Sequence, residues 1–593
     1  MCGFGGELGF TGSADTSAVA RMAPHLAPRG PDASGRWANG PLAVLHHRLK
    51  IIDLSDAGAQ PFMDESLGYV LVFNGCIYNH HELRDRLSGE GYTFHSKSDT
   101  EVIAKAFHKW GKHCVERFYG MFAFALYDTA TGTLTLARDR LGIKPLYVAQ
   151  TDKRLRFAST LPALLAAGGV DTSIDPIALH HYMSWHSVVP APRTILSGVR
   201  KLPPATVRTV NPDGRSEDLV YWTTPVIDRR PPPGSEDNRL WSEQVHNALR
   251  VAVERRMVSD VPVGVLLSGG LDSSLIVALL AEAGQQHVST FSIGFESAAG
   301  ETGDEFEYSD LIAKEFGTDH HRILISTPQL GAAVTAAVAA MSEPMVSHDC
   351  VAFHLLSEAV TQHVRVVQCG QGADELFAGY DWYPPLASVP RDQAVHQYRS
   401  VFFDRSAREL TRLVSPEHLP GGDPSVAFVQ EHFERPGAPT TLDAALRIDG
   451  TIMLVDDPVK RVDNMTMAWG LEARVPFLDH ELVELATRCP PALKLADGGK
   501  GILKSAARGV VPDAVIDRPK GYFPVPGVRH LSGELLDMVR DALTSTAARD
   551  RALFRSAAVT QLLADPNTPR TRLGSNVCWQ LGLLELWLQT QGA

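Results

Sequence analysis

The stretch from about residue 261 to 369 leaves this chain few folds to choose from. An apolar run at 261–267 meets the glycine turn Ser268-Gly269-Gly270-Leu271-Asp272-Ser273-Ser274, and a helical pattern follows at 273–283. A second apolar run at 288–295, a helical pattern at 309–316 and a third apolar run at 364–369 continue the alternation. Strand–helix–strand order at this spacing predicts a parallel sheet covered by helices, an α/β architecture. The residues beyond it, to 593, read as mostly helical and are expected to pack on that sheet.

Residues 1 to about 210 carry a different pattern. Short apolar, β-branched runs at 43–54 and 69–73 predict strands. Runs at 121–127 and 133–137 flank Asp128-Thr129-Ala130-Thr131-Gly132, and runs at 146–149 and 155–158 flank Thr151-Asp152-Lys153, so each pair predicts a hairpin. Between them, 100–111 has helical spacing with Val102, Ile103 and Ala106 facing inward. The polar, proline-rich stretch 228–237 has the composition of an extended linker. A chain of 593 residues exceeds what one core supports, about 250–300 residues. The expected division is a domain over 1–210, a linker over 211–239 and a second domain over 240–593.

Charge and cysteine usage narrow the function classes. The net charge of −12, from 56 basic and 68 acidic residues, argues against a nucleic-acid partner. Seven scattered cysteines without CxxC spacing indicate neither a disulfide framework nor a zinc site, and fit a reducing cytoplasm. The start MCGFGGELGF lacks the basic and apolar regions of a signal peptide. The most apolar stretch, 331–341, is far shorter than the ~20 residues a membrane span needs, so no membrane partner is expected. Adjacent histidines at 46–47, 80–81, 180–181 and 320–321 point to opposite faces when they lie in strands and are poor chelators of one metal.

Cys2 follows the initiator methionine and becomes the first residue once that methionine is removed. The freed α-amine, with a pKa of about 7.7–8.0, can take the thiol proton, and the thiolate can attack the side-chain amide of glutamine. Thioester and ammonia are the products. With Cys2-Gly3, Arg29-Gly30-Pro31-Asp32, His47-Arg48-Leu49, Asn74-Gly75 and Ser98-Asp99 in this order, residues 1–210 resemble the class II glutamine amidotransferases, the N-terminal-nucleophile glutaminases. The resemblance implies a four-layer αββα sandwich. It implies Arg48 on the α-carboxylate of glutamine and Asp99 on its α-ammonium. It also implies an oxyanion hole from the Asn74 side chain and the Gly75 N–H beside Cys2. Opposite charges at both ends of a zwitterion, and neutral donors on a tetrahedral oxyanion, suit that chemistry. One departure stands out: the family usually has a glutamate, also on the ammonium, where this chain has Cys76.

The glycine turn offers backbone N–H groups, hydroxyls and a helix N-terminus to an anion. It has no GK[ST] and is therefore not a Walker A loop. Gly370-Gln371-Gly372-Ala373-Asp374-Glu375 follows the apolar run at 364–369, and Asp272 and Asp374 at two strand ends are suited to share Mg²⁺. Lys520, in Arg518-Pro519-Lys520-Gly521-Tyr522, is a candidate catalytic cation near the phosphates; Lys500 and Lys504 form a second candidate group. The turn resembles the PP-loop of ATP pyrophosphatases. Together with Glu472-Ala473-Arg474-Val475-Pro476-Phe477-Leu478-Asp479 it makes 240–535 resemble the synthetase domain of asparagine synthetases. That resemblance implies ATP held by Leu266, Ser268, Gly269, Gly270, Asp272, Ser273, Ile293 and Gly370, with adenine on the backbone of Leu266 and Ile293. It further implies an acyl-adenylate attacked by ammonia passed between the domains, and suggests a homodimer.

The acceptor pocket is expected at Gln371, Glu343 and Asp349. The usual Ser-Gly-Glu-Gly-Ala-Asp-Glu of asparagine synthetases appears here as Cys369-Gly370-Gln371-Gly372-Ala373-Asp374-Glu375. A neutral Gln371 suits an acceptor with no free α-amine. Cys76, Gln371 and Ser347-His348-Asp349-Cys350 resemble the branch that makes N-acetylglutaminylglutamine amide, an osmoprotectant dipeptide. Asparagine synthesis from aspartate is the alternative; a nucleic-acid-modifying ATP pyrophosphatase would need a basic patch or a catalytic cysteine pair, and this acidic sequence shows neither.

Overall fold

The computed structural model describes residues 2–227, 237–296, 303–519, 521 and 530–593. Among them, twelve strands lie in the N-terminal half: β1 (Gly3–Gly9), β2 (Ala33–Asn39), β3 (Leu42–Arg48), β4 (Phe62–Asp64), β5 (Tyr69–Ile77) and β6 (Gly120–Asp128), then β7 (Thr133–Arg138), β8 (Tyr147–Gln150), β9 (Arg154–Ala158), β10 (Arg200–Lys201), β11 (Thr206–Val210) and β12 (Ser216–Val220). They form two antiparallel sheets, in the orders β10-β8-β9-β1-β3-β2 and β12-β11-β7-β6-β5-β4. Phe4, Leu8, Val44, Val72, Leu136 and Phe157 fill the space between the sheets. Helices Thr16–Leu26 and Leu161–Ala167 cover the first sheet, and His80–Gly89 and Asp99–Trp110 cover the second. This is the αββα sandwich.

Both expected hairpins form, β6 against β7 and β8 against β9. The apolar run at 43–54 is a strand only as far as Arg48. Beyond it the chain turns, with Asp53 at a φ of 55°, and the Arg48 side chain binds the carbonyls of that turn. The β11–β12 hairpin carries the second sheet to Val220, so the first part of the expected linker is sheet edge. Residues 228–236 of that linker lie outside the described residues.

The second half holds a five-stranded parallel sheet of β13 (Val263–Leu266), β14 (Ser289–Phe295), β15 (Asp319–Ile325), β16 (Val366–Gln368) and β17 (Glu472–Arg474), in the order β15-β14-β13-β16-β17. The chain leaves β13 toward β14 on one side and later returns on the other at β16. The resulting switch point lies between the carboxyl ends of β13 and β16, where ligands of open parallel sheets bind. Helix Leu271–Glu282 starts directly at the glycine turn, with Gly270 as its N-cap. The helical remainder includes Thr441–Ile448, two π-helical turns over Asp449–Val459 and helix Lys460–Met467, which packs toward the N-terminal half. No helix among the described residues is long and apolar enough to cross a membrane.

Candidate active sites

A narrow cleft in the N-terminal half is lined by Cys2, Arg48, Gly75, Cys76 and Asp99, among others. The sheet geometry brings these distant positions together. Cys2 immediately precedes β1, β1 pairs with β3, which ends at Arg48, and β5 carries Asn74 to Cys76. The Cys2 backbone N–H donates to Asn74 Oδ1 at 3.0 Å, and the Cys2 carbonyl accepts from Arg29 Nε at 3.1 Å. Asn74 is fully buried, and its Nδ2 has no partner among the described residues. An orphaned buried donor is costly, and this one fits an oxyanion that forms only during reaction. At Gly75 a Cβ would stand 2.2 Å from the Met121 carbonyl oxygen, so only glycine allows β5 its approach to β6.

Arg48 is buried, and its guanidinium donates to the carbonyls of Ser55 (2.9 Å), Ile52 (3.2 Å) and Asp53. Those bonds hold it at the cleft with donors to spare, since a guanidinium has five N–H groups. Asp99 opens helix Asp99–Trp110, and its Oδ2 accepts from the Ile77 N–H at 3.0 Å. Burial raises its carboxyl to about 6. Burial also pushes the Cys2 thiol up, so its reactivity depends on a nearby base.

The second site is a cavity of about 580 Å³ at the switch point of the parallel sheet, within the usual range for small-molecule sites. Leu266, Ser268, Gly270, Asp272, Ser273, Ile293, Gly370, Gln371, Asp349 and Asp374 all line it. Gly269 shapes the turn: its φ is 74°, and a Cβ there would meet the Ser309 backbone nitrogen at 2.7 Å. Ser268 Oγ and Ser273 Oγ lie 3.1 Å apart and close the turn on itself. Gly370 approaches it so nearly that a Cβ would stand 2.9 Å from Asp272 Cβ.

Asp272 and Asp374 are joined by one side chain. Lys500 Nζ lies 2.6 Å from Asp272 Oδ2 and 2.9 Å from Asp374 Oδ1. Burial would lower this lysine, but the two carboxylates hold its ammonium charged well above the usual range. The carboxylate pair is a hard-oxygen donor set that fits Mg²⁺. No group of three or more histidine, cysteine or acidic side chains suited to a metal occurs among the described residues. Lys504 lines the same cavity, as do Arg518, Pro519 and Gly521, whereas Lys520 lies outside the described residues.

Glu343 lies apart from the other two expected acceptor residues. It is buried where the halves meet, 3.2 Å from Lys201 Nζ, 3.7 Å from Lys460 Nζ and 3.2 Å from the Tyr147 hydroxyl. Two lysines from different halves draw it there. Asp349 pairs with Arg461 at 3.1 Å, and the same guanidinium donates to Ser347. Arg461, Lys500 as a bridge, and Glu472 in the cleft of Cys2 were not foreseen as such from the sequence.

An asparagine synthase family model matches residues 244–589, and a glutamine amidotransferase domain model matches 1–222. The chain is 31% identical to asparagine synthetase [glutamine-hydrolyzing] 1 of Bacillus subtilis (strain 168), over 99% of this chain and 96% of that protein. It is 33% identical to a putative asparagine synthetase [glutamine-hydrolyzing] of Mycobacterium tuberculosis (strain ATCC 25618 / H37Rv), over 99% and 97%. It is also similar to amidase chry2 of Gibberella zeae (strain ATCC MYA-4620 / CBS 123657 / FGSC 9075 / NRRL 31084 / PH-1), 28% identical over 88% and 86%.

Proposed function

Since the chain belongs to the asparagine synthase family of glutamine-hydrolysing ligases, we propose that it amidates the carboxylate of N-acetylglutaminylglutamine with ammonia taken from glutamine. The observation that carries the acceptor is Gln371. It lines the ATP-sized cavity beside Gly370 and puts a neutral amide where a carboxylate would attract a free α-ammonium. An N-acetylated acceptor has no such ammonium.

In the first site the α-amine of Cys2, freed by removal of Met1, takes the thiol proton. The thiolate attacks the side-chain carbonyl carbon of glutamine, and Asn74 Nδ2 with the Gly75 N–H donates to the oxyanion. The C–N bond breaks, the proton leaves with ammonia, and water then hydrolyses the thioester to glutamate. Arg48 and Asp99 hold the two charged ends of the substrate.

In the second site the acceptor carboxylate attacks the α-phosphorus of ATP, and pyrophosphate leaves. Ammonia then attacks the acyl carbon and AMP leaves with the electron pair of the broken C–O bond. Ser268, Gly270 and Ser273 cradle the phosphates, and the backbone at Leu266 and Ile293 receives adenine. Asp272 and Asp374 would hold Mg²⁺, which when bound neutralises phosphate charge. Lys500 supplies a fixed cation between the same carboxylates.

The test is pyrophosphate release by the full-length enzyme with MgATP and glutamine, with the dipeptide or aspartate as acceptor. A response to the dipeptide supports the reading. A response to aspartate alone overturns the acceptor assignment and leaves the two-site chemistry standing.

A further inference from the structure

The cleft of Cys2 has one wall that belongs to the other half of the chain. Glu472, the first residue of β17, lines it together with Cys2, Arg48, Gly75, Cys76 and Asp99. β17 is an edge of the parallel sheet, and docking sets that edge against the sandwich. The Glu472 side chain is 1% exposed, and its Oε1 accepts from Arg474 Nε at 2.6 Å.

Arg474 is itself immobilised. It donates to the carbonyls of Arg256 (2.7 Å) and Val258 (2.8 Å), and its Nη2 stands 3.8 Å from Cys76 Sγ. Burial would raise the Glu472 carboxyl, but the positive charge of the chain's α-amine, and after it that of Arg474, override burial and hold the group at about 2. The ion pair with Arg474 favours the carboxylate form of Glu472. Cys76 brings no charge, because burial pushes its thiol far up.

Asp99 and Glu472 are the two carboxylates that line this cleft among the described residues, and Arg48 is the guanidinium. Glu472 also acts on Asp99: after burial, its charge is among the causes that raise the Asp99 carboxyl. A cleft lined by one guanidinium and two carboxylates is complementary in charge to an amino acid zwitterion. A carboxylate has about four lone-pair sites, so Glu472 can take an ammonium in addition to the partners it already holds.

We propose that Glu472 binds the α-ammonium of glutamine jointly with Asp99, so that the glutaminase site is completed by a residue of the synthetase half. The inference rests on the reading of Cys2 as the glutaminase nucleophile. Its consequence is that a sandwich separated from the parallel sheet would retain Cys2 but bind glutamine poorly.

The test uses full-length Glu472→Gln and two ligands: glutamine as substrate, and glutaramate, which is glutamine without its α-amino group, as a competitor. The expected result is a glutamine KM higher by about tenfold to a hundredfold, the range for one lost charge-assisted hydrogen bond. The kcat of hydrolysis and the inhibition constant of glutaramate should each stay within about twofold to threefold, so that only recognition of the amine is lost. A glutamine KM that does not move, or constants for both ligands that rise together, overturns the proposal. Ammonia-driven pyrophosphate release by the same variant reports whether the synthetase half is folded. If it is lost, Glu472→Asp keeps the charge for Arg474 but shortens the reach, and the same selective rise in glutamine KM is expected. Absence of glutamine hydrolysis by the unaltered enzyme would instead remove the glutaminase reading itself.

Discussion

Arg29 and Asp463 join the two halves of the chain through an ion pair of 2.9 Å, with both side chains almost fully buried. The same guanidinium donates from Nε to the carbonyl of Cys2. Lys144 adds a second cation, 3.2 Å from the other oxygen of Asp463. The backbone of the nucleophile is thus tied through one side chain to helix Lys460–Met467 of the synthetase half. Asp463→Asn would leave two buried cations without their anion, which typically costs about 3–5 kcal/mol. Chemical denaturation should show that loss, and a change below about 1 kcal/mol would mean that water already screens the pair.

Cys2→Ala separates the two chemistries. Glutamine-driven amide synthesis should vanish, while synthesis from added ammonia stays within a few fold of the unaltered enzyme. Side-by-side pyrophosphate assays decide the matter. Loss of both activities would contradict two independent sites.

Lys500 is expected to act on the ATP side alone. Lys500→Gln removes a cation bonded to Asp272 and Asp374. Charged hydrogen bonds are worth about 1.5–3 kcal/mol, so kcat/KM for MgATP should fall about tenfold to a hundredfold. Glutamine hydrolysis in the same variant should be unaffected. A fall in both would place Lys500 in the coupling between the sites rather than on the phosphates.

The acid limb of glutamine hydrolysis carries a signature of Asp99. Its carboxyl, raised by burial to about 6, is protonated below that pH and then no longer attracts an ammonium. The α-amine of Cys2 titrates higher, at about 7.7–8.0, and must be neutral to take the thiol proton. The logarithm of kcat/KM for glutamine should therefore fall with slope 1 below the amine step and with slope 2 below about pH 6. Glu472, held at about 2, adds no step in this range. A slope of 1 maintained to pH 5 would exclude Asp99 from free-enzyme recognition of glutamine.

Features set by local pattern were legible in the sequence. The β6–β7 hairpin showed itself because apolar runs flank a polar loop ending in glycine, and the turn at Ser268–Ser274 because only glycine tolerates its geometry. Strand β15, Asp319–Ile325, escaped notice because its two histidines and arginine lie on a half-exposed edge and break the apolar pattern. β17 is three residues long and makes sense only beside β16. Cys2, Arg48, Gly75 and Asp99 could be grouped because their motifs are distinctive. Glu472 and Asp463 could not, since their roles exist only once two halves dock, and no local periodicity encodes docking. Glu343 shows the converse. It was expected in the acceptor pocket with Gln371 and Asp349, yet Lys201 and Lys460 hold it at the interface of the halves.

Gln371→Glu tests whether the neutral side chain is a specificity device. The substitution adds a negative charge to a cavity that must receive the acceptor carboxylate and the ATP phosphates. Two unit charges ~5 Å apart at an effective dielectric near 20 interact by about 3 kcal/mol. An N-acetylated dipeptide offers no ammonium to offset that repulsion, so its kcat/KM should fall by at least about tenfold. Aspartate carries an ammonium that the new carboxylate can hold, so its kcat/KM should stay level or rise. Opposite movement of the two acceptors would show that position 371 reads the charge of the acceptor's α-nitrogen. Equal loss for both would mean that Gln371 serves the adenylate common to the two reactions, and the choice of acceptor would then have to lie with the neighbouring Asp349–Arg461 pair.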